Sequence, residues 1–256
     1  MSVAATTKTG VSVVVLAFNE EQDLRTAVTS VMEAAAAADN VEVEIIIVND
    51  GSTDGTAAVV NAIESEHAFV RGVHHPKNQG FGAAFRSGLA TARNEWITFF
   101  PGDNIVSRST LRELLKHTGQ ADLVCAFPVN TELRPRLRQI LSSIFSFVYK
   151  NTFNINLRSI HTTPVYRVSQ MRSLKLRCRG YSLPSEIMIK LLCRGCTFME
   201  IPGYLNPAQN KSSALRIKNF REVIYNYFAL IVEIFATHRE EYSRKPERII
   251  PAELRG

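Results

Sequence analysis

Cysteine is scarce in this chain: four among 256 residues, at Cys125, Cys178, Cys193 and Cys196. Four thiols cannot staple a chain of this length, which excludes a disulfide scaffold and suits a reducing compartment. Cys193-Arg-Gly-Cys196 has the spacing of a metal knuckle or redox pair, but no second Cys/His pair follows it. Its plain reading is a buried helix end followed by a glycine cap. Long apolar runs are missing as well. The longest, Tyr225 to Ala236, is broken by Glu233 and falls short of the roughly 20 residues a bilayer crossing needs. The opening "MSVAATTKTG" has neither an apolar stretch nor a charged start, so it reads as a short tail and not as a secretion signal. A cytoplasmic protein is expected, soluble or held at the inner face of the membrane.

No internal repeat, low-complexity tract or linker interrupts the chain. One domain over 1–256 is therefore expected, with 246–256 as a flexible, Pro- and charge-rich tail. At 45% apolar residues the chain can bury the core of a large α/β domain. The net charge of +6 favours anionic partners: nucleotide phosphates, a phospholipid surface or nucleic acid. Nucleic acid ranks last, because the basic residues are scattered and no groove-reading motif is present.

The first half alternates in period. "VSVVVLAF" (11–18) is a β-branched run, and "EEQDLRTAVTSVMEAAAAA" carries Leu24, Val28, Val31 and Met32 on one helical face. "VEVEIIIVND" turns from alternating to wholly apolar, as a strand does on entering a doubly covered sheet. Helix, strand, helix and strand follow as "STDGTAAVVNAIESE", "AFVRGVHH", "GFGAAFRSGLATA" and "WITFFPGD". Such alternation predicts an α/β fold with a mostly parallel sheet and right-handed crossovers. Ligands of these sheets lie beyond the carboxyl ends of the strands. Three of those ends carry polar clusters, Asn19-Glu20, Asn49-Asp50-Gly51-Ser52 and Gly102-Asp103-Asn104, which should converge on one crevice. Beyond Asp103 the pattern predicts a Ser-capped helix at "SRSTLRELLKH", a strand at "DLVCAFPV" and a basic amphipathic helix from Arg134. A short strand at "TTPVYRV" leads to a helix at "SLPSEIMIKLLCRG", a strand at "TFMEIP" and a last long helix from Ala214 to Tyr242.

"NDGSTD" after "EIIIV" resembles the "DDGSTD" signature of the family-2 inverting glycosyltransferases, the group that includes the polyprenol-phosphate sugar transferases. "VSVVVLAFNEE", "KNQGFGAAFRSGLATA" and "WITFFPGD" resemble that family's further motifs in the same order. The resemblance covers residues 11 to about 126 well and the remainder loosely. It implies the GT-A fold, a three-layer sandwich, with 11–126 as the nucleotide-sugar-binding half and 127–245 as the acceptor-side half. It also implies a UDP- or GDP-linked sugar donor, a lipid-phosphate or small-molecule acceptor, and Mg2+ or Mn2+ as cofactor. Asp50 would read a base N–H, or else cap a turn; Asp54 is the better cap. Ala17, Phe18 and Asn19 would line the base, and Glu20, read as one turn into the first helix, would reach a ribose hydroxyl or complement that helix. Lys77 or Arg86 would lie near the diphosphate, and Gly80 and Gly82 would permit close packing. A dinucleotide fingerprint is excluded, because Gly80-x-Gly82 follows the third strand and position 85 is Phe.

The family's "D-x-D" is Pro101-Gly102-Asp103 here, so the first aspartate is missing. Asp103 would contact the metal and Asn104 could add a carbonyl oxygen; the same residues make a good turn. Glu186 matches the family's acceptor-side carboxylate: a general base for an alcohol acceptor, a positioning group for a phosphate. Lys211, with Ser212 and Ser213, falls where relatives carry a loop over the diphosphate, and His161 stands where lipid-phosphate relatives often show Asp. Arg134, Arg136 and Arg138 open a helix of Ile140, Leu141, Ile144, Phe145 and Val148, and Arg216, Lys218 and Arg221 open one rich in Tyr and Phe. Basic starts on apolar helices suit a membrane surface, and equally suit core helices with solvated ends or a homodimer face. A relative that binds nucleotide without catalysis is the alternative that Pro101 suggests.

Overall fold

The computed structural model describes residues 8–160, 163–180, 182–207, 217–251 and 253. Among them eight strands form one sheet in the order β3-β2-β1-β4-β6-β5-β7-β8. The strands are β1 (Thr9–Ala17), β2 (Val41–Asn49), β3 (Val70–His74), β4 (Trp96–Pro101), β5 (Leu123–Pro128), β6 (Pro164–Arg167), β7 (Thr197–Gly203) and β8 (Glu247–Arg248). All neighbours are parallel except β6, which runs antiparallel to both β4 and β5. The helices are α1 (Leu24–Ala36), α2 (Thr56–Glu66), α3 (Phe81–Thr91), α4 (Arg108–Lys116), α5 (Arg136–Phe153), α6 (Val168–Ser173), α7 (Leu183–Cys193) and α8 (Ile217–Ile231).

Side-chain alternation on the central strands divides the core. Val13, Val15, Ile45 and Ile47 face α1, α2 and α4, where Leu24, Val28, Val60, Ile63 and Leu111 meet them. Val14, Ile46 and Val48 face the other way, onto Phe85 and Leu89 of α3 and a second-half layer that includes Tyr149, Leu183 and Ile187. Both faces of β1 and β2 are thus sealed, which is why these strands read as continuous apolar runs. The result is the expected three-layer sandwich.

Two expectations are corrected at the end of the chain. The described residues beyond 245 are not a free tail: β8 pairs with β7, Ile249 N donates to Phe198 O at 2.8 Å, and Glu253 reaches Lys116 at 2.9 Å. The last helix does not run to Tyr242. It passes at Ile231 into a π-helical turn, Val232–Thr237, and stops, because Glu233 is drawn inward to the buried ammonium of Lys190 at 2.9 Å.

Candidate active site

Three strand ends meet as expected. Ala17 is in register with Asn49 on one side of β1, and Leu16 with Pro101 on the other. Asp50 N donates to Ala17 O (2.9 Å) and Gly102 N to Leu16 O (2.8 Å), so the loops after β2 and β4 are each tied to the end of β1. With strands about 4.8 Å apart, those loops begin about 10 Å from each other.

The first loop is a web of backbone donors held by side chains. Asn19, at φ 57°, accepts from Thr53 N at 2.8 Å, and its own N donates to Ser52 Oγ at 3.0 Å. Glu20 N donates to Thr56 Oγ1 at 2.9 Å. Glu20 precedes α1, which starts at Leu24, so its expected place within that helix is corrected; the turn at Asn19 delays the helix. A Cβ on Gly102 would lie 3.3 Å from Glu20 Cγ, which puts Glu20 beside the loop after β4. Phe18 is 43% exposed and is therefore not core. Asp54 stands one residue before Gly55, the N-cap of α2, and accepts from Thr56 N at 3.0 Å. Burial alone would raise its carboxyl, but the bonds from Thr56 and Glu21 outweigh it and hold the pKa below the ordinary range.

Asp50 is 4% exposed and is held by three protein groups. Its oxygens accept from Gln79 N at 2.9 Å and Gly80 N at 2.8 Å, and meet His75 Nδ1 at 2.7 Å. It ties the end of β2 to the start of α3. Sequence reading missed His75, which bridges Asp50 to Ser87 at 2.8 Å and carries no motif to mark it. Gly51 makes this joint possible: at φ +68° a Cβ there would stand 2.2 Å from the Lys77 carbonyl carbon. Lys77 itself is exposed at the rim. Arg86 donates to Cys178 O at 2.6 Å and anchors the loop before α7. Gly82 lets that loop approach, with Arg179 O accepting from its N at 2.8 Å.

The second loop is a turn closed by Asn104 N donating to Pro101 O at 3.1 Å. Asp103 keeps contact with solvent, yet burial raises its carboxyl above the ordinary range against weaker opposition from Ile105 N and Arg138. Asn104 sits at φ 54°, and its Oδ1 is buried with no partner among the described residues. A solvent-facing carboxylate beside an unsatisfied carbonyl oxygen fits a hard divalent cation, although among the described residues no group of three or more His, Cys, Asp or Glu gathers anywhere. Arg138 feels the charge of Asp103 from the first turns of α5. Next to it Arg134 is half-buried, its Nε has no partner among the described residues, and burial with the Arg138 charge lowers its pKa to about 10.

Glu186 is 3% exposed and accepts from Arg177 N (3.0 Å), Cys178 N (2.8 Å) and Lys190 Nζ (2.8 Å). Lys190, fully buried, also donates to Lys175 O at 2.6 Å. Glu186 thus holds the 175–178 loop from beneath. The CxxC pair is structural: both thiols are free and buried, burial pushes each up to about 12, and Gly195 at φ +82° ends α7. Lys211, Ser212, Ser213 and His161 lie outside the described residues.

Fold and strand-end geometry together define a GT-A glycosyltransferase framework. The family described as Glycosyl transferase family 2 matches residues 12–177, more than half of the chain, and the protein belongs to it. Dolichol-phosphate mannosyltransferase of Mycosarcoma maydis is 26% identical over 243 residues, covering 88% of this chain and 78% of that protein. Succinoglycan biosynthesis protein ExoO of Rhizobium meliloti is 33% identical over 111 residues, 43% of this chain and 30% of its own length, so the match spans under a third of that relative. Among solved structures, glucosyl-3-phosphoglycerate synthase from Mycobacterium tuberculosis with Mg2+ and uridine diphosphate superposes with a TM-score of 0.67 at 20% identity, covering 87% of this chain and 79% of that one. S. aureus TarS with UDP-GlcNAc gives 0.62 at 17% identity, covering 91% and 69%. At those identities the superpositions speak to fold alone.

Proposed function

We propose that the chain moves a sugar, with inversion, from a UDP- or GDP-linked donor to a phosphate-bearing acceptor, a polyprenyl phosphate being the leading class. The observation that carries this is the convergence of the ends of β1, β2 and β4, with Asp103 and the unsatisfied Asn104 Oδ1 on the loop after β4 and the Arg134–Arg138 pair close by. Ala17, Phe18, Asn19 and Glu20 line the nucleotide side, with Gly102 giving backbone approach and Lys77 at the rim. Asp50 shapes that side by fixing the loop before α3. Asp103 and Asn104 would hold Mg2+ or Mn2+, which when bound offsets the negative charge that develops on the leaving diphosphate. Pro101 removes one carboxylate from the set, so weaker metal affinity follows than for a two-carboxylate site.

The acceptor oxygen forms its bond to the anomeric carbon from the face opposite the departing diphosphate, whose oxygen takes the electron pair of the breaking bond. Glu186 has all its near donors engaged and keeps almost no solvent contact, which suits positioning and not proton abstraction. A phosphate acceptor needs no base, being a nucleophile at neutral pH, and the two guanidiniums offer it a counter-charge. The dolichol-phosphate relative supports the same class.

Calorimetric titration with UDP and GDP in the presence of Mn2+ tests the donor half; no heat with either overturns it. Transfer from labelled donors to polyprenyl phosphate, compared with a polyprenol, tests the acceptor half, and preference for the alcohol overturns that part. Pro101 favours one competing reading, a nucleotide-binding relative without turnover. Turnover that is lost in Asp103→Asn excludes it.

A further inference from the structure

Eleven of the seventeen exposed large apolar side chains among the described residues lie on α5, α8 and the π turn that continues α8. The two helices pack together through their inner sides: Tyr149 and Phe153 contact Tyr227, Thr152 Oγ1 is 2.6 Å from the Tyr227 hydroxyl, and Phe153 stacks on Phe235. Among the described residues nothing covers their outer sides. Leu137, Ile140, Ile144 and Phe147 line α5 outwardly, with Phe147 67% exposed, and Tyr225 (73%) and Phe228 (60%) continue the face on α8.

The charges on these helices decide what would cover it. α5 contains no acidic residue. The two carboxylates of α8 and its π turn point inward: Glu222 meets Cys178 Sγ at 3.1 Å, and Glu233 meets Lys190 Nζ at 2.9 Å. Exposed Arg136 and Arg221 stand where the two outer faces begin. Since Tyr149 contacts Tyr227 and Phe153, one turn on, contacts Tyr227 and Phe235, the helices run in the same general sense and bring both arginines toward one end. That end is also the side of the strands' carboxyl ends, because β6 is antiparallel to both β4 and β5, which makes β5 parallel to β4, and α5 starts shortly after β5 ends at Pro128. An apolar strip with cationic residues at its head and its carboxylates turned away lacks the negative partner a self-complementary dimer would need across the two-fold axis. Anionic lipid headgroups supply that partner, and acyl chains take up the rings. Among the described residues no helix is long and apolar enough to cross a membrane, so contact is made from the side.

We propose that the outer face of α5 and α8 docks on a lipid bilayer bearing anionic headgroups, with the candidate site at the strand ends turned toward the headgroups. The proposal deepens the lipid-phosphate reading above, but its test uses no sugar transfer. The full chain is sedimented with vesicles of equal parts phosphatidylglycerol and phosphatidylcholine, and with pure phosphatidylcholine vesicles. Wild type is compared with Phe147→Glu/Phe228→Glu and with Arg136→Gln/Arg221→Gln, each variant shown to be folded by its thermal melt. Wild type is expected to bind the mixed vesicles well above the neutral ones, the glutamate pair to stay in the supernatant, and the glutamine pair to bind about 25-fold more weakly, at about fivefold per basic residue. Wild type that remains unbound by mixed vesicles overturns the proposal, as do two folded variant pairs that bind as wild type does. So does light scattering that shows a dimer dispersed by Phe147→Glu/Phe228→Glu, with no vesicle binding by either protein. Manganese-dependent nucleotide binding, measured separately, reports on the donor reading and is expected to be the same in all three.

Discussion

Asp50→Ala separates two roles for the carboxylate that ends β2. If Asp50 chiefly meets a ligand, its loss leaves the free protein as stable as before and weakens nucleotide binding. The geometry requires the reverse order of effects. Asp50 is 4% exposed and holds two backbone N–H groups at 2.9 and 2.8 Å and His75 at 2.7 Å. Each bond to a charged acceptor contributes about 1.5–3 kcal/mol when its partners are sequestered. Gln79 is exposed and Gly80 half-buried, so water can reclaim part of that; a net loss of about 2–4 kcal/mol is the working figure. At about 2–4 °C per kcal/mol for a domain of this size, the Tm should fall by about 5–15 °C. The assay is thermal and urea unfolding without nucleotide, so that ligand linkage does not enter. Asp50→Asn keeps one acceptor oxygen and should lose about half as much. An unchanged Tm in Asp50→Ala beside a hundredfold loss of UDP or GDP affinity would refute the reasoning, because the carboxylate would then be free for the ligand.

Other perturbations test the framework around it. Lys190→Met removes the buried cation between Glu186 and Glu233 and should cost about 3–5 kcal/mol in urea unfolding, the range for an uncompensated buried charge. Glu44→Gln reads the linkage of a carboxylate whose burial is outweighed by bonds from Ser12, Arg93 N and Asn94 N and by Arg71, so that its folded pKa lies below the ordinary value. Its stabilisation is present above the unfolded pKa and lost as pH falls through the folded one, so the variant should trail wild type at pH 7 and the gap should close as the solution is acidified below about pH 4. Gly82→Ala sets a Cβ 2.7 Å from the Arg179 carbonyl carbon and should cost about 1–3 kcal/mol by overpacking, read as an equal fall in the urea midpoint of every probe.

The layered first half was legible because its strands are buried on both faces and its helices on one, so period alone separates them. Asn49-Asp50-Gly51 and Gly102-Asp103-Asn104 were placed at strand ends for the same reason. What period could not show was direction. Asp50 and Glu186 look alike in sequence to free carboxylates, but each is taken by backbone donors from segments distant in the chain or across a turn: Gln79 and Gly80 for one, Arg177 and Cys178 for the other. His75 escaped notice because its value comes wholly from standing between Asp50 and Ser87. The terminal segment was misread because Pro and charge suggest fraying, whereas the free edge of β7 offers Glu247–Ile249 a row of backbone partners. The exposed faces of α5 and α8 are amphipathic in sequence, and only the packed helices reveal which side is left open.

β6 lies between β4 and β5, so the strand that pairs with the first half of β4, at Trp96–Thr98, comes from residues 164–167. Thr98 Oγ1 even donates to Pro164 O across that seam at 2.8 Å. Cutting the chain near residue 126 would therefore not release a self-sufficient nucleotide-binding module. It would strip β4 of its outer neighbour at Trp96–Thr98 and leave a raw hydrogen-bonding edge there, open to pairing with other copies.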